Sequence, residues 1–146
     1  RMYQSNNFEK LDFKDYLKAF TDDLIASNPN NVSINIDVDK PPISINTAIP
    51  LGLIFNELFT NSLKHSKKEN VLEISIEFNR REDGDCIVYR DNGVGVKDIK
   101  MMKENKDSIG VTLIHLLAEQ LDATIKYKEA DEENKGFWIS VQGNFE

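Results

Sequence analysis

Hydrophobic residues recur at helical spacing in three segments of the chain. The first segment follows Asp12, which can cap a helix with a second acidic residue three positions later. The second is predicted to be capped by Thr47 and to run to about Ser66, with Pro50 in its first turn, where a missing amide donor costs little. The third covers residues 109–121, IGVTLIHLLAEQL. The pattern therefore predicts three long helices.

Five further segments show the alternation or the short apolar runs that are typical of β-strands. They are VSINIDV, VLEISIEF, CIVYRD, ATIKYKE and FWISVQG. The order is helix, strand, helix, strand, strand, helix, strand, strand, and the last four strands form two hairpin-like pairs. A parallel sheet covered on both faces would need regular alternation, which is absent. The order predicts an α+β layer in which helices cover one face of a sheet.

Composition narrows the class of protein. A chain of 146 residues that is 40% hydrophobic suits one domain with one core. Eighteen basic and 25 acidic side chains leave a net charge of −7, which argues against a nucleic-acid partner or an anionic membrane surface. No segment approaches the ~20 apolar residues of a membrane span, so no direct membrane insertion is expected. The single Cys86 lies in an apolar run, which favours a buried thiol in a reducing compartment.

A polar stripe runs through the otherwise apolar segment NELFTNSLKHS, Asn56 to Ser66. On a helical wheel, one side carries Glu57, Asn61, Lys64 and His65, opposite an apolar face that includes Ser62. The stripe offers a carboxylate that can orient or deprotonate water, an amide oxygen that suits Mg²⁺, and a cation for phosphate. The alternative is an ordinary solvated face, although Asn has no local reason to stand in the middle of a helix.

Two glycine-containing turns could also bind a ligand. In YRDNGVGV, Asp91 stands at a strand end, where it could accept from an exocyclic amine, while Gly93 and Gly95 let the backbone approach a ligand. The alternative is a plain hairpin turn. Gly110 opens the last helix, whose free amide donors would favour phosphate, although a simple loop-to-helix transition fits as well. His115 lies among leucines and is predicted to be structural.

Four of these segments, taken in order, resemble the ATP-binding domain of sensor histidine kinases, within the GHKL ATPase superfamily. They are NELFTNSLKHS, DNGVGV, SIGVTLIHLLAEQL and GFWISV. The resemblance spans about Thr47 to Val141. It implies a Bergerat-type α/β sandwich, with a mixed, mostly antiparallel sheet covered on one face by about three helices. ATP would lie between the helices and a short lid in the stretch from Val96 to Ser108.

The resemblance implies roles for the polar stripe. Asn61 looks like a Mg²⁺ ligand. Glu57 occupies the position that activates water in ATPases and that holds the metal or orients the acceptor in kinases. Lys64 and His65 resemble the positions that approach the phosphates or the ribose.

It also implies roles for the turns. Asp91 looks like the aspartate that accepts from the adenine amino group, with Gly93 and Gly95 shaping the turn. Gly110 resembles the glycine between the lid and the following helix. The last motif reads GFW where the family usually has Gly-Thr, so Phe137 cannot supply that hydroxyl.

The function that the resemblance implies is phosphoryl transfer in two-component signalling. The domain would bind Mg·ATP or ADP and donate the γ-phosphoryl group to a histidine on a separate helical dimerisation domain, and thence to a response regulator receiver domain. Residues 1–11 are predicted to be a linker or the tail of that upstream domain, and residues 12–146 the catalytic domain. Neither His65 nor His115 lies in a segment of the phosphoacceptor type. The parent protein would be a homodimer with this domain in the cytoplasm, with or without a membrane anchor.

Two alternatives stay open at this point. One is a serine kinase of the anti-sigma type, which shares the nucleotide fold and acts without a dimerisation domain. The other is a degenerate nucleotide-fold module that only binds a partner, which the changes at Phe137 and in the lid would favour.

Overall fold

A five-stranded sheet with helices on one face forms the body of the protein. The computed structural model describes residues 9–28, 31–39, 42–66, 69–104 and 109–146. Within these residues the helices are α1 (Phe13–Ser27), α2 (Ile45–Lys64), α3 (Ile99–Glu104) and α4 (Ile109–Gln120). The strands are β1 (Lys10–Leu11), β2 (Val32–Val38), β3 (Ile43–Ser44), β4 (Leu72–Arg81), β5 (Gly84–Asp91), β6 (Thr124–Tyr127) and β7 (Trp138–Gly143).

The strand order in the main sheet is β2-β4-β5-β7-β6. Strands β2 and β4 are parallel, and all other neighbours are antiparallel. The β4–β5 hairpin and the β6–β7 pair are the two strand pairs that the sequence predicts. The expected mixed, mostly antiparallel sheet is thereby confirmed.

The core lies between one face of this sheet and helices α1, α2 and α4. Along β4, alternate residues are buried, as the period of two requires for a strand with one covered face. Aromatic rings link the layers. Phe13 of α1 packs edge-on against Phe78, with ring centroids 5.9 Å apart, and Phe55 of α2 lies 6.2 Å from Tyr89. The single cysteine, Cys86, is free and buried.

Of the two helix caps that the sequence predicts, one is observed and the other is not. Asp12 caps α1 as predicted, and its side chain accepts from the Asp15 amide at 3.1 Å. The prediction that Thr47 caps α2 is wrong, because the cap is Ser44, whose hydroxyl accepts from the Thr47 amide at 3.4 Å. Helix α2 therefore starts at Ile45, and Pro50 lies inside the helix rather than in its first turn.

Three small elements, two strands and one helix, are absent from the sequence prediction. Strands β1 and β3 form a separate antiparallel pair directly before α2. Helix α3 lies within the stretch that was expected to be a short lid without regular structure, and residues 105–108 of that stretch lie outside the described residues. Residues 1–8 also lie outside them, so the division at residue 11 stays a prediction. None of the helices in the described part of the chain is long and apolar enough to cross a lipid bilayer.

Candidate functional site

A cavity of about 820 Å³ lies where α2, α3 and α4 meet the end of β5. Its size falls within the range of small-molecule sites. The polar side chains that line one part of it are Asn61, Ser62, His65 and Asp91. The apolar walls include Val94, Met101, Met102, Ile114, Tyr127 and Phe137. Such a cavity suits a ligand with a flat apolar ring and a few polar groups.

Asp91 is the most constrained polar side chain of the cavity. Because side chains alternate along β5, Asp91 lies on the helix-facing side of the sheet, two residues beyond Tyr89. Its Oδ1 accepts from the backbone amides of Gly93 at 2.8 Å and Phe137 at 3.2 Å. Its Oδ2 accepts from the Ser62 hydroxyl at 2.6 Å. Three donors therefore fix the orientation of one carboxylate.

Ser62 also contacts Tyr89, with 2.7 Å between the two hydroxyl oxygens. Since Ser62 has one proton and donates it to Asp91, Tyr89 must be the donor in this second bond. Burial, above all, raises the pKa of the Tyr89 phenol far above its ordinary range, so the phenol keeps its proton. Sequence analysis missed Ser62, because the helical wheel places it on the apolar face. The sequence feature that could have identified Ser62 is that it places a hydroxyl on an otherwise apolar helix face.

Glu57 and Asn61 of α2 meet α4 at Gly110. A β-carbon at Gly110 would lie 2.9 Å from Glu57 Oε2 and 3.6 Å from the Asn61 side-chain oxygen. The two oxygen-bearing groups of the stripe are thus close together at the amino-terminal turn of α4. Carboxylate and amide oxygens are hard ligands of the kind that Mg²⁺ accepts, so this pair fits a magnesium ion.

The remaining predicted residues differ in whether they line the cavity. His65 lines the cavity, whereas Lys64 is exposed and does not line it. Gly95 lines the cavity with a φ of 79°, a conformation that glycine adopts without strain. Gly93 is buried and does not line the cavity, but its backbone N–H donates a hydrogen bond to Asp91 Oδ1.

The turn after β5 is not the plain hairpin that was the alternative, since the sheet neighbours of β5 are β4 and β7. Asn92 instead attaches this turn to the beginning of β4. Its Oδ1 accepts from the Glu73 amide at 2.8 Å, and its Nδ2 donates to the Val71 carbonyl at 2.9 Å. These bonds hold the backbone from which Asp91 projects. The sequence identified Asn92 only as a turn residue.

The start of the lid is attached to the segment that follows β6. Val96 forms an isolated bridge with Glu129, and its carbonyl accepts from the Ala130 amide at 2.6 Å. The Glu129 carboxylate accepts from the Ile99 amide at the first residue of α3 at 2.9 Å. Helix α3 then brings two methionines to the cavity wall.

His115, predicted to be structural, does not line the cavity. Its Nε2 lies 3.0 Å from the hydroxyl of Tyr127, which does line it. Burial raises the pKa of the Tyr127 phenol to about 12. His115 therefore contacts the cavity wall through Tyr127.

The sequence matches the model of the protein family described as histidine kinase-, DNA gyrase B-, and HSP90-like ATPase over residues 46–144. No curated protein sequence matches the chain.

Solved structures of histidine kinases have a similar fold. The histidine kinase domain from the Erythrobacter litoralis EL346 blue-light activated histidine kinase gives a TM-score of 0.75 at 17% identity, over 91% of this chain and 65% of that one. The mycobacterial sensor histidine kinase MprB gives 0.70 at 12% identity, over 94% and 100% of the two chains. Acinetobacter baumannii histidine kinase AdeS gives 0.67 at 18% identity, over 93% and 66%. The chain thus spans less than two thirds of the Erythrobacter domain.

Proposed function

The chain belongs to the histidine kinase-, DNA gyrase B- and HSP90-like ATPase family, and we propose that it binds Mg·ATP and donates the γ-phosphoryl group to a histidine on a separate dimerisation domain. The observation that carries this proposal is the placement of Asp91 and Asn61 on the wall of one cavity, with Glu57 and Gly110 beside Asn61. One part of the cavity suits a base with an amino group, and the other suits a metal-bound phosphate chain.

Asp91 would bind the adenine amino group. An ionised carboxylate has about four lone-pair positions. Backbone amides and Ser62 use three of these positions in the described structure. The fourth is left on Oδ2 for the amino group, and the apolar walls of the cavity would pack against the ring.

Asn61 and Glu57 would hold Mg²⁺ next to the phosphates. When bound, the ion neutralises charge on the triphosphate. The amide groups at the start of α4, beside Gly110, favour phosphate oxygens. We assign His65, and the exposed Lys64, to the ribose or the phosphates. Holding the triphosphate in one orientation is the main contribution that the chain makes to phosphoryl transfer.

The acceptor and the partners are part of the proposal. We infer that the phosphoacceptor histidine lies on an upstream helical dimerisation domain, to which residues 1–11 would be the linker and residues 12–146 the catalytic domain. The parent would be a cytoplasmic homodimer or the cytoplasmic part of one, and a receiver domain would take the phosphoryl group next. The fold that the chain shares with three histidine kinase structures supports this choice of acceptor.

Calorimetry with ATP, in the presence and absence of Mg²⁺, tests the site. Asp91→Asn should weaken binding at least tenfold, since a hydrogen bond to a charged group is worth about 1.5–3 kcal/mol. Asn61→Ala should weaken binding mainly when Mg²⁺ is present. Unchanged affinity in Asp91→Asn would disprove the adenine assignment.

The acceptor needs a separate test. Wild type and Glu57→Gln are mixed with Mg·ATP and an added histidine-bearing dimerisation domain, and nucleotide binding, hydrolysis and transfer are measured separately. We expect Glu57→Gln to retain nucleotide binding, because Gln keeps a side-chain oxygen beside Asn61 that can still contact the metal, and to lose transfer, because the amide cannot act as a base. An acid-labile product on the added domain is expected for phosphohistidine, whereas an acid-stable one would favour a serine kinase. If all three readouts were unchanged, Glu57 would be an ordinary surface residue.

A further inference from the structure

Two buried hydroxyls and one carboxylate form a chain at the polar part of the cavity. Tyr89 and Ser62 are only 1% and 2% exposed. Tyr89 donates to Ser62 across 2.7 Å, and Ser62 donates to Asp91 across 2.6 Å. The hydroxyl protons of Tyr89 and Ser62 are thus both used in hydrogen bonds within this series of three side chains. The side-chain oxygens of Ser62 and Asp91 therefore offer only lone pairs to a ligand in the cavity.

Among the described residues, Ser62 is the one side chain that donates a hydrogen bond to Asp91. Gly93 and Phe137 each donate a backbone amide to Oδ1. The Phe137 ring packs edge-on against Tyr89, with ring centroids 6.3 Å apart, and lines the cavity. The contact at Oδ2, the oxygen that is left for a ligand, is therefore set by Ser62 alone.

We propose that Ser62, positioned by Tyr89, determines the base specificity of the cavity by holding Asp91 Oδ2 as an acceptor for an exocyclic amine. This inference rests on the proposed function, since it takes the ligand to be a purine nucleotide. A site built to accept from an amino group rejects an analogue without it, because a buried acceptor is then left unpaired. Ser62 and Tyr89 strengthen that rejection by fixing the carboxylate and by occupying the space that water would need.

Replacing Ser62 with Ala should weaken this selectivity. The variant leaves Oδ2 with one fixed donor fewer and opens a small space beside it. Water can then pair with the carboxylate, and a ligand without an amino group no longer leaves it unpaired. Tyr89→Phe should act in the same direction but less strongly, because Ser62 keeps its bond to Asp91.

The test compares two nucleotides by calorimetry: ATP and purine riboside triphosphate, which lacks only the 6-amino group. The readout is the ratio of their dissociation constants, which a general loss of folding does not change. Wild type should prefer ATP. Ser62→Ala should lower the ratio about tenfold, and Tyr89→Phe about threefold, as expected for hydrogen bonds to charged and neutral groups respectively. Ser140→Ala is the matched control, since Ser140 is also 2% exposed and does not line the cavity.

The outcomes separate the inference from the function on which it rests. If wild type and Asp91→Asn behave as proposed but Ser62→Ala keeps the wild-type ratio, the inference is wrong and the function stands. If wild type binds neither nucleotide, the proposed function fails and the inference with it. Should Ser62→Ala fail to fold, an unchanged ratio in Tyr89→Phe overturns the inference.

Discussion

Gly110 and Gly136 both lie against residues of the site, but they meet different kinds of neighbour. A β-carbon at Gly110 would approach Glu57 Oε2, the far end of a flexible side chain. A β-carbon at Gly136 would overlap the backbone carbonyl oxygen of Asp91. A side chain can rotate away at little cost, whereas a backbone carbonyl held within the sheet cannot.

We therefore expect Gly110→Ala to fold normally and to bind Mg·ATP about tenfold more weakly, because Glu57 is displaced from its place beside Asn61. Calorimetry with and without Mg²⁺ measures this effect. Equal affinities of wild type and variant for Mg·ATP would show that Glu57 does not contribute to the metal site.

Gly136→Ala is the matched comparison. Here we expect a loss of about 1–3 kcal/mol in the free energy of unfolding, the usual cost of forcing extra atoms into a packed structure. Chemical denaturation measures it. A variant as stable as wild type would show that the Asp91 backbone can move.

Single residues differ in how well the sequence predicted them. Asn61, His65 and Asp91 could be proposed in advance, since each is a polar residue at an unusual place in a local pattern, and all three line the cavity. Ser62 and Asn92 could not be assigned their bonds, because their partners lie 19 to 29 residues away in the sequence. The fold, rather than any local spacing, brings them together.

At the scale of elements, the start of α2 provides a direct test. Ser44→Ala removes the observed cap and should cost about 0.5–1 kcal/mol, near the low end for caps because the bond is 3.4 Å long. Thr47→Ala places a better helix former inside the first turn and should be neutral or slightly stabilising. Denaturation midpoints of the two variants decide between the two caps. If Thr47→Ala were less stable than Ser44→Ala, Thr47 would be the cap.

The position of this helix start follows from contacts that no local pattern contains. Ser44 ends β3, which pairs with β1, and its amide donates to the carbonyl of Glu146 at 3.1 Å. Both chain segments that hold it are distant in sequence. Helix α3 was missed for a related reason, since its first amide is bound by Glu129, 30 residues away. By contrast, α1 and α4 carry their apolar residues at helical spacing, and both were predicted.

At the scale of the whole molecule, buried tyrosines should make the protein sensitive to alkali. Burial raises the pKa of Tyr127 from its ordinary value of 10.0 to about 12. Between these values the unfolded chain loses a proton that the folded chain keeps, so stability falls as pH rises, by about 1.4 kcal/mol per pH unit. Burial of Tyr89 acts in the same direction.

Tyr127→Phe should therefore be less sensitive to pH than wild type between pH 10 and about 12. Denaturant midpoints across this range measure the difference, and all other titrating groups are shared by the two proteins. Parallel curves would mean that the Tyr127 phenol titrates alike in both states.

The fold class was the most predictable property of the whole molecule, because it depends on the order of elements rather than on their partners. The β4–β5 pair follows from its short connection, and the β6–β7 pair follows because these two strands are consecutive in the sequence. The parallel pairing of β2 with β4 does not, since α2 lies between these two strands in sequence and the strands could have met in either direction. The direction of such a pairing depends on how the helices and strands pack together in the core.

Binding of the nucleotide should stabilise the folded protein as a whole. A ligand at one hundred times its dissociation constant adds about 2.7 kcal/mol to the free energy of unfolding. For a domain of this size, each kcal/mol raises the melting temperature by about 4 °C, so saturating Mg·ATP should raise it by about 10 °C. Asp91→Asn, at the same nucleotide concentration, should show a much smaller shift. A melting temperature that does not respond to millimolar Mg·ATP, in a protein that is folded at the start, would instead favour a module that binds only a protein partner.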